Sequence, residues 1–254
     1  YASHFAHEFS ESRNYGWSVD KVGFDWTTLI ENKDTELDRL NGIYRGLLDN
    51  AGVELFSGRA MLVDEHTVQI ESGGKRKCVT FENILVATGG WPQIPAHLDP
   101  GPTLSSNEAL SLDRLPKTII IAGGGYIAVE FAGIFNSLGV QVIEVIRADK
   151  VLRGFDEDVR SHLQKEMIRQ GIQLLTGVTI KHVEKGLDGC RIELSSGKVV
   201  TGEEMLFATG RVPNTSGLGL EKLGIELSSN GAIKVDEWAR TNRSNVYAIG
   251  DCTD

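Results

Sequence analysis

The chain has 254 residues, 41% hydrophobic and 24% charged, with 29 glycines and 6 prolines, the composition of an ordinary globular protein. A net charge of -9 argues against a nucleic acid or an anionic membrane surface as partner, since neither polyanion is attracted to it. No apolar run approaches the roughly 18 residues that span a bilayer, and no basic, apolar, small-residue leader pattern appears, so secretion is not expected. Cys78, Cys190 and Cys252 are widely spaced and outline neither a disulfide framework nor a metal site, so a cytoplasmic location is expected. The absence of an initial Met and the abrupt end at "IGDCTD" suggest a fragment.

Residues 26–51 carry Leu29, Leu37, Leu40, Tyr44, Leu47 and Leu48 at helical spacing, which predicts an amphipathic helix capped by Asp25 and stopped at Gly52. From Val53 to Thr88 the short β-branched runs "VELF", "AMLV", "TVQI", "KCVTF" and "NILVAT" predict a small meander ending in a buried strand. After the linker "WPQIPAHLDPGP", strand-like and helix-like runs alternate: "TIIIAGGG", "YIAVEFAGIFNSLG", "VQVIEVI", "DEDVRSHLQKEMIRQG" and "IQLL". That alternation predicts a parallel, right-handed βαβαβ sheet. A second meander is predicted through "TIKHVEK", "CRIELS" and "EEMLFATG", followed by a mixed tail. "NILVATGGWP" resembles "EMLFATGRVP", so the chain leaves one domain at the first and re-enters it near the second. The expected division is 1–91, 92–213 and 214–254, the central domain being the insert.

Three local patterns carry chemistry. Gly123-x-Gly125-x-x-Ala128 lies between a strand and a helix, the context of a dinucleotide site. There the first glycine permits a tight turn, the second admits a pyrophosphate, and the small third residue keeps helix and sheet close, with the phosphates at the helix N-terminus. An acid gripping the adenosine ribose is expected about 20 residues on. Glu144 is near that distance but inside the strand, and the strand's end reads Ile146-Arg147, with Arg153 following. Two guanidiniums in place of an acid favour a 2′-phosphate and hence NADPH; as composition alone they are two solvated surface arginines. Gly250-Asp251 after "VYAI" is a turn that can set a carboxylate against a ligand hydroxyl, or simply a turn.

In order and spacing, "ILVATGG", "GGGYIAVEFAG", "VIRADKVLRGFDE", "FATGRVPNT" and "TNRSNVYAIGD" resemble the class I pyridine nucleotide–disulfide oxidoreductases, and the chain is most similar to their glutathione reductase branch. The resemblance covers essentially the whole chain. It implies an α/β architecture of two Rossmann-like dinucleotide-binding domains, the NADPH domain inserted into an incomplete FAD domain, each with a small β-meander. It implies that Arg147 and Arg153 bind the 2′-phosphate, that Gly124 and Ile127 line the pyrophosphate turn, and that Gly210 closes over the same cofactor. Tyr126 matches a gate over the flavin, and Glu130 an acid that orders the nicotinamide site. FAD is implied at Ala60, Thr88, Gly89 and Asp251. Tyr44 matches a glutathione-contacting tyrosine, and on periodicity alone is equally a core-facing aromatic.

The implied reaction runs from NADPH through FAD to a redox disulfide that reduces oxidised glutathione, in a homodimer. The family's first FAD glycine motif and its CxxxxC pair fall before Tyr1 in such an alignment, and its catalytic histidine falls after Asp254. No catalytic residue and no metal ligand is therefore assigned within the chain, and His4, His7, His66, His97, His162 and His182 match no catalytic position. Trypanothione reductase, thioredoxin reductase and a non-catalytic NADPH-binding module remain as alternatives. Lipoamide dehydrogenase is disfavoured by the missing acid.

Overall fold

The structure, a computed structural model, describes residues 1–19, 22–98, 104–187 and 189–254. The end of the predicted linker, residues 99–102, lies outside them. Two helices come first, α1 (Ala2–Ser12) and α2 (Trp26–Asn50). The Asp25 carboxylate caps α2 by accepting from the Thr28 amide at 2.8 Å, and Gly52, at a φ of 71°, ends it. Five strands follow: β1 (Arg59–Asp64), β2 (Thr67–Ser72), β3 (Lys75–Thr80), β4 (Ile84–Val86) and β5 (Gly90–Pro92). Then come α3 (Ser106–Ala109), β6 (Thr118–Ala122), α4 (Tyr126–Ser137), β7 (Gln141–Val145), α5 (Glu157–Arg169) and β8 (Gln173–Leu175). The remaining strands are β9 (Ile180–Gly186), β10 (Gly189–Leu194), β11 (Val199–Gly202), β12 (Glu204–Phe207), β13 (Arg211–Pro213) and β14 (Val246–Ala248). Among the described residues no helix is long and apolar enough to cross a membrane.

The chain forms two compact units, Tyr1–Leu37 with Pro92–Gly210, and Asp38–Trp91 with Arg211–Asp254. The sequence groups 1–91 together, whereas the structure clusters residues 1–37 with 92–210. Trp26 is one anchor: its indole N–H donates to the Leu112 carbonyl at 2.6 Å, and its ring stacks on Phe135 of α4.

The first unit is built on a four-stranded parallel sheet in the order β12-β6-β7-β8. Alternation sorts its side chains. Ile119, Ile121, Val142 and Ile146 face the helices, where α4 contributes Ala128, Phe131, Ala132 and Phe135 at helical spacing. Ile120, Ala122, Ile143 and Val145 face the other way, onto Val183, Cys190, Ile192 and Val200 of the antiparallel sheet β11-β10-β9. The parallel sheet is thus covered on both faces, which is why its strands read as continuous apolar runs.

Two sequence expectations change. "EMLF" belongs to no meander: it is β12, paired in parallel with β6, with Met205, Leu206 and Phe207 all buried. An apolar run buried on both faces gives no period by which to tell the two settings apart. The third meander strand is β11 instead. "VELF" forms no strand: the Val53 amide donates back to the Leu48 carbonyl at 3.0 Å and finishes α2, leaving Val53 and Leu55 exposed.

The second unit holds the antiparallel sheet β1-β2-β3 and the pairs β4–β14 and β5–β13. Its core gathers Leu62, Val86, Leu220, Ile225, Ile233, Val246, Ala248 and Cys252. No described residue of α2 is buried, and Leu37, Tyr44 and Leu47 stand exposed along it.

Candidate functional site

In the first unit, β12, β6 and β7 are parallel neighbours, so their carboxyl ends lie along one edge, where open α/β sheets bind ligands. Ala208 to Gly210 leave β12, Gly123 to Gly125 leave β6, and Ile146 and Arg147 leave β7. The glycine turn is sterically required. Gly123 has a φ of 137°, and a Cβ there would run into the Ala208 carbonyl oxygen. A Cβ on Gly124 would come 2.8 Å from Ile146 Cγ2. Gly125 differs: its φ is −81° and a Cβ would meet nothing within 4 Å. The open side of that residue is the cradle a pyrophosphate needs. Gly125 is also the N-cap of α4 and gives no side-chain cap, so the amides of Tyr126, Ile127 and Ala128 are available to an anion. Ala128 is fully buried against the sheet, as its place in the pattern requires. Tyr126, 56% exposed, and Glu130, one turn further along, present side chains with no hydrogen-bond partner among the described residues. Gly210, at a φ of 137°, accepts from the Gln93 amide at 2.9 Å, and the Thr209 hydroxyl donates to the Gln93 carbonyl at 2.6 Å.

The loop after β7 separates its cations into two kinds. Lys150 pairs with Glu157 and donates to the Ser161 hydroxyl at 2.9 Å, and Arg160 donates to Glu157 at 2.8 Å. Those two neighbours, Lys150 first, hold the Glu157 carboxyl below its ordinary pKa. Arg147 and Arg153 are exposed, and neither guanidinium has a carboxylate or carbonyl partner among the described residues. Both therefore keep their donors for an anion. The sequence reading missed Leu152, Arg160 and Gln164, which hold this loop. Their ties run to loop backbone, so no sequence pattern marks them, and the φ of 52° at Leu152 has no signal either.

Glu144 grips nothing. It lies between Val142 and Ile146 on the helix-facing side of β7, in register with Ile121 and Leu174. It is fully buried, both carboxylate oxygens lack a partner, and burial pushes its pKa up to about 8. It is a neutral acid of the core, not a ribose ligand.

In the second unit, Thr88 and Gly89 follow β4 and Gly250-Asp251 follow β14, its parallel neighbour, so they share a carboxyl edge. Asn214 fixes the first turn: its Nδ2 donates to the Thr88 carbonyl at 3.2 Å and its amide to the Gly89 carbonyl at 2.9 Å. Arg211 donates to the Gly90 carbonyl at 2.5 Å and lies 3.5 Å from the Asp251 carboxylate, which is 66% exposed. A ligand with hydroxyls fits this edge. Ala60 stands in β1, in a separate sheet, opposite Ile70. Tyr44 is 63% exposed on α2, so it is no core aromatic. A depression of 520 Å³ at the start of β6, lined by Thr118, Lys185, Gly189, Arg191 and Glu203, competes weakly as a site. Its cations already pair, Lys185 with Glu204 at 3.4 Å and Arg191 with Glu184 at 3.3 Å.

Comparison with known proteins agrees with this geometry. Residues 2–254 match the family model described as pyridine nucleotide-disulphide oxidoreductase. The chain is 44% identical over 255 residues to the chloroplastic/mitochondrial glutathione reductase of Pisum sativum, covering 100% of the chain and 46% of that protein. It is 41% identical over 253 residues to the glutathione reductase of Burkholderia cepacia, covering 100% of the chain and 56% of that protein. The crystal structure of LpdA from Mycobacterium tuberculosis superposes with a TM-score of 0.91 at 28% identity, covering 99% of the chain and 56% of that structure. The chain thus spans about half the length of the relatives it matches. With a family model matched over residues 2–254, the chain belongs to the pyridine nucleotide–disulphide oxidoreductase family.

Proposed function

We propose that the protein is a glutathione reductase, taking reducing equivalents from NADPH through FAD to a redox disulfide that reduces oxidised glutathione. The observation that carries the nucleotide assignment is the pair of unpartnered arginines, Arg147 and Arg153, flanking an open glycine turn with no acid at the strand's end. Bound NADPH and FAD would supply hydride and electron-transfer chemistry to the residues that hold them. Gly125 and the amides of α4 hold the diphosphate, Arg147 and Arg153 clamp the 2′-phosphate, and Gly210 closes the far side. Tyr126, on the first turn of α4, covers the nicotinamide site, and Glu130 orders it. Asp251, oriented by Arg211, receives a ribityl hydroxyl, with Thr88, Gly89 and Ala60 completing this chain's share of the flavin site. Tyr44 contacts glutathione. Glutathione is the favoured disulfide because the relatives at 41% and 44% identity carry that name. A cytoplasmic homodimer goes with the same reading.

Neutralising Arg147 and Arg153 together tests it. Each charged hydrogen bond contributes about 1.5–3 kcal/mol, so NADPH affinity falls by a few kcal/mol in total while NADH affinity barely changes. Equal losses for the two nucleotides would remove the 2′-phosphate from the site.

A further inference from the structure

The loop carrying the two arginines is held from outside by α5. Arg160 donates from Nε to the Val151 carbonyl at 2.8 Å and from Nη2 to the Lys150 carbonyl at 3.3 Å. One turn on, Gln164 accepts from the Val151 amide at 3.2 Å through Oε1 and donates from Nε2 to the Asp149 carbonyl at 3.3 Å. The Leu152 amide donates to the Gly124 carbonyl at 2.6 Å, fastening the same stretch to the glycine turn. Leu152 is buried and sits at a φ of 52°, a left-handed conformation that a leucine holds only where its surroundings impose it. Arg153 leaves directly from that kink, and Arg147 precedes the tethered stretch.

Each guanidinium nitrogen of Arg160 already donates within this framework, Nη1 to Glu157, and its side chain is only 15% exposed. It is not available to a ligand. Gln164 likewise spends both ends of its amide on the loop backbone. Side chains on two successive turns of one helix thus read the backbone of a loop whose flanking arginines, Arg147 and Arg153, stay free.

We infer that Arg160 and Gln164 are positioning residues for nucleotide selectivity: α5 splints residues 149–152 so that Arg147 and Arg153 face a 2′-phosphate already aligned. The inference rests on the NADPH reading above and adds to it that selectivity is held by residues that never touch the nucleotide. A splinted loop is ordered before binding. An unsplinted one must be ordered by the ligand, and immobilising even one backbone residue weakens affinity roughly tenfold. The penalty falls on ligands that use the arginines and spares those that use only the glycine turn.

The test compares adenosine 2′,5′-bisphosphate with adenosine 5′-monophosphate by calorimetric titration of the intact protein, for the wild type, Arg160→Met, Gln164→Leu and Arg160→Lys. The bisphosphate is expected to bind Arg160→Met and Gln164→Leu about tenfold more weakly, with monophosphate affinity unchanged. Arg160→Lys, which keeps one donor for a loop carbonyl, recovers part of the loss. Gln164→Leu removes only neutral hydrogen bonds at a half-buried site, so it provides a folded variant if Arg160→Met unfolds. A folded Gln164→Leu or Arg160→Met protein with the wild-type ratio of the two affinities overturns the inference. An Arg147→Gln, Arg153→Gln double variant separates the two levels. If it lowers the ratio while the α5 variants do not, only the splint is wrong. If it leaves the ratio unchanged, the 2′-phosphate reading falls with it.

Discussion

The carbonyl oxygen of Ala208, at the end of β12, occupies the space that a Cβ on Gly123 would need. This contact joins the two "ATG"-bearing and glycine-bearing strand ends of the parallel sheet, and it separates the roles of the glycines. Gly123→Ala has to displace backbone and adopt an unfavourable φ, so a loss of roughly 2–4 kcal/mol in thermal or denaturant unfolding is expected. Gly125→Ala meets open space at an ordinary φ, so stability changes by no more than about 1 kcal/mol, the cost of an alanine N-cap. Its methyl projects into the phosphate cradle, and NADPH affinity drops. Wild-type NADPH affinity in a folded Gly125→Ala protein would take the phosphates out of the turn.

Glu144 makes stability depend on pH in a defined direction. An unfolded glutamate titrates near 4.5, and in the folded sheet burial raises this residue to about 8. Between those values folding takes up a proton. The contribution is fully present below the unfolded pKa and is lost as pH rises through about 8, at up to about 1.4 kcal/mol per pH unit. Unfolding followed at a series of pH values from mildly acid to mildly alkaline is expected to show this decline. Glu144→Val removes it and raises stability at neutral pH. Glu144→Gln removes the decline but leaves an unbonded amide in the core, so it stabilises less. An undiminished slope in Glu144→Val would assign the pH dependence elsewhere.

The three cysteines differ in access. Cys78 is exposed on β3, whereas Cys190 and Cys252 are buried, one in each of two separate cores. Burial also pushes the Cys190 thiol up, away from the reactive thiolate. The Cys252 thiol donates to the Ile249 carbonyl at 3.1 Å. Of these three, a thiol reagent is expected to modify only Cys78 in the folded protein and the other two after denaturation. Rapid native modification of Cys190 would contradict its packing.

Trp26 carries a smaller, local prediction. Trp26→Phe keeps the stack on Phe135 but strands the Leu112 carbonyl, at a cost of about 1–2 kcal/mol. Unfolding midpoints of the variant and the wild type measure it.

The parts of the fold legible in the chain are those where a strand-like run and a helical period alternate around a glycine turn. The isoleucine run of β6, the Ala128, Phe131, Ala132 and Phe135 spacing of α4, and the glycine turn between them needed only local geometry. "EMLF" was misplaced because a doubly buried strand has no polar face to betray its sheet. Glu144 could be put inside its strand, yet nothing in the sequence said that neither oxygen would find a partner. The arginines of "VIRADKVLR" stood out by composition. What holds them did not, since the ties from Arg160 and Gln164 to loop carbonyls are tertiary contacts made to backbone, which has no sequence.

The bonds between Gln93 and the Thr209–Gly210 pair have a consequence for how this family can vary. They knot the neck of everything from 93 to 210, so the stretch is a loop tied shut at its base. Once a neck is tied, lengthening the loop is cheap, each doubling costing only about 0.6 kcal/mol. Insertions, shortened hairpins and altered cations can accumulate beyond the knot without loosening it. Changes between residues 93 and 210 therefore leave the two ends of the stretch held together at the same place.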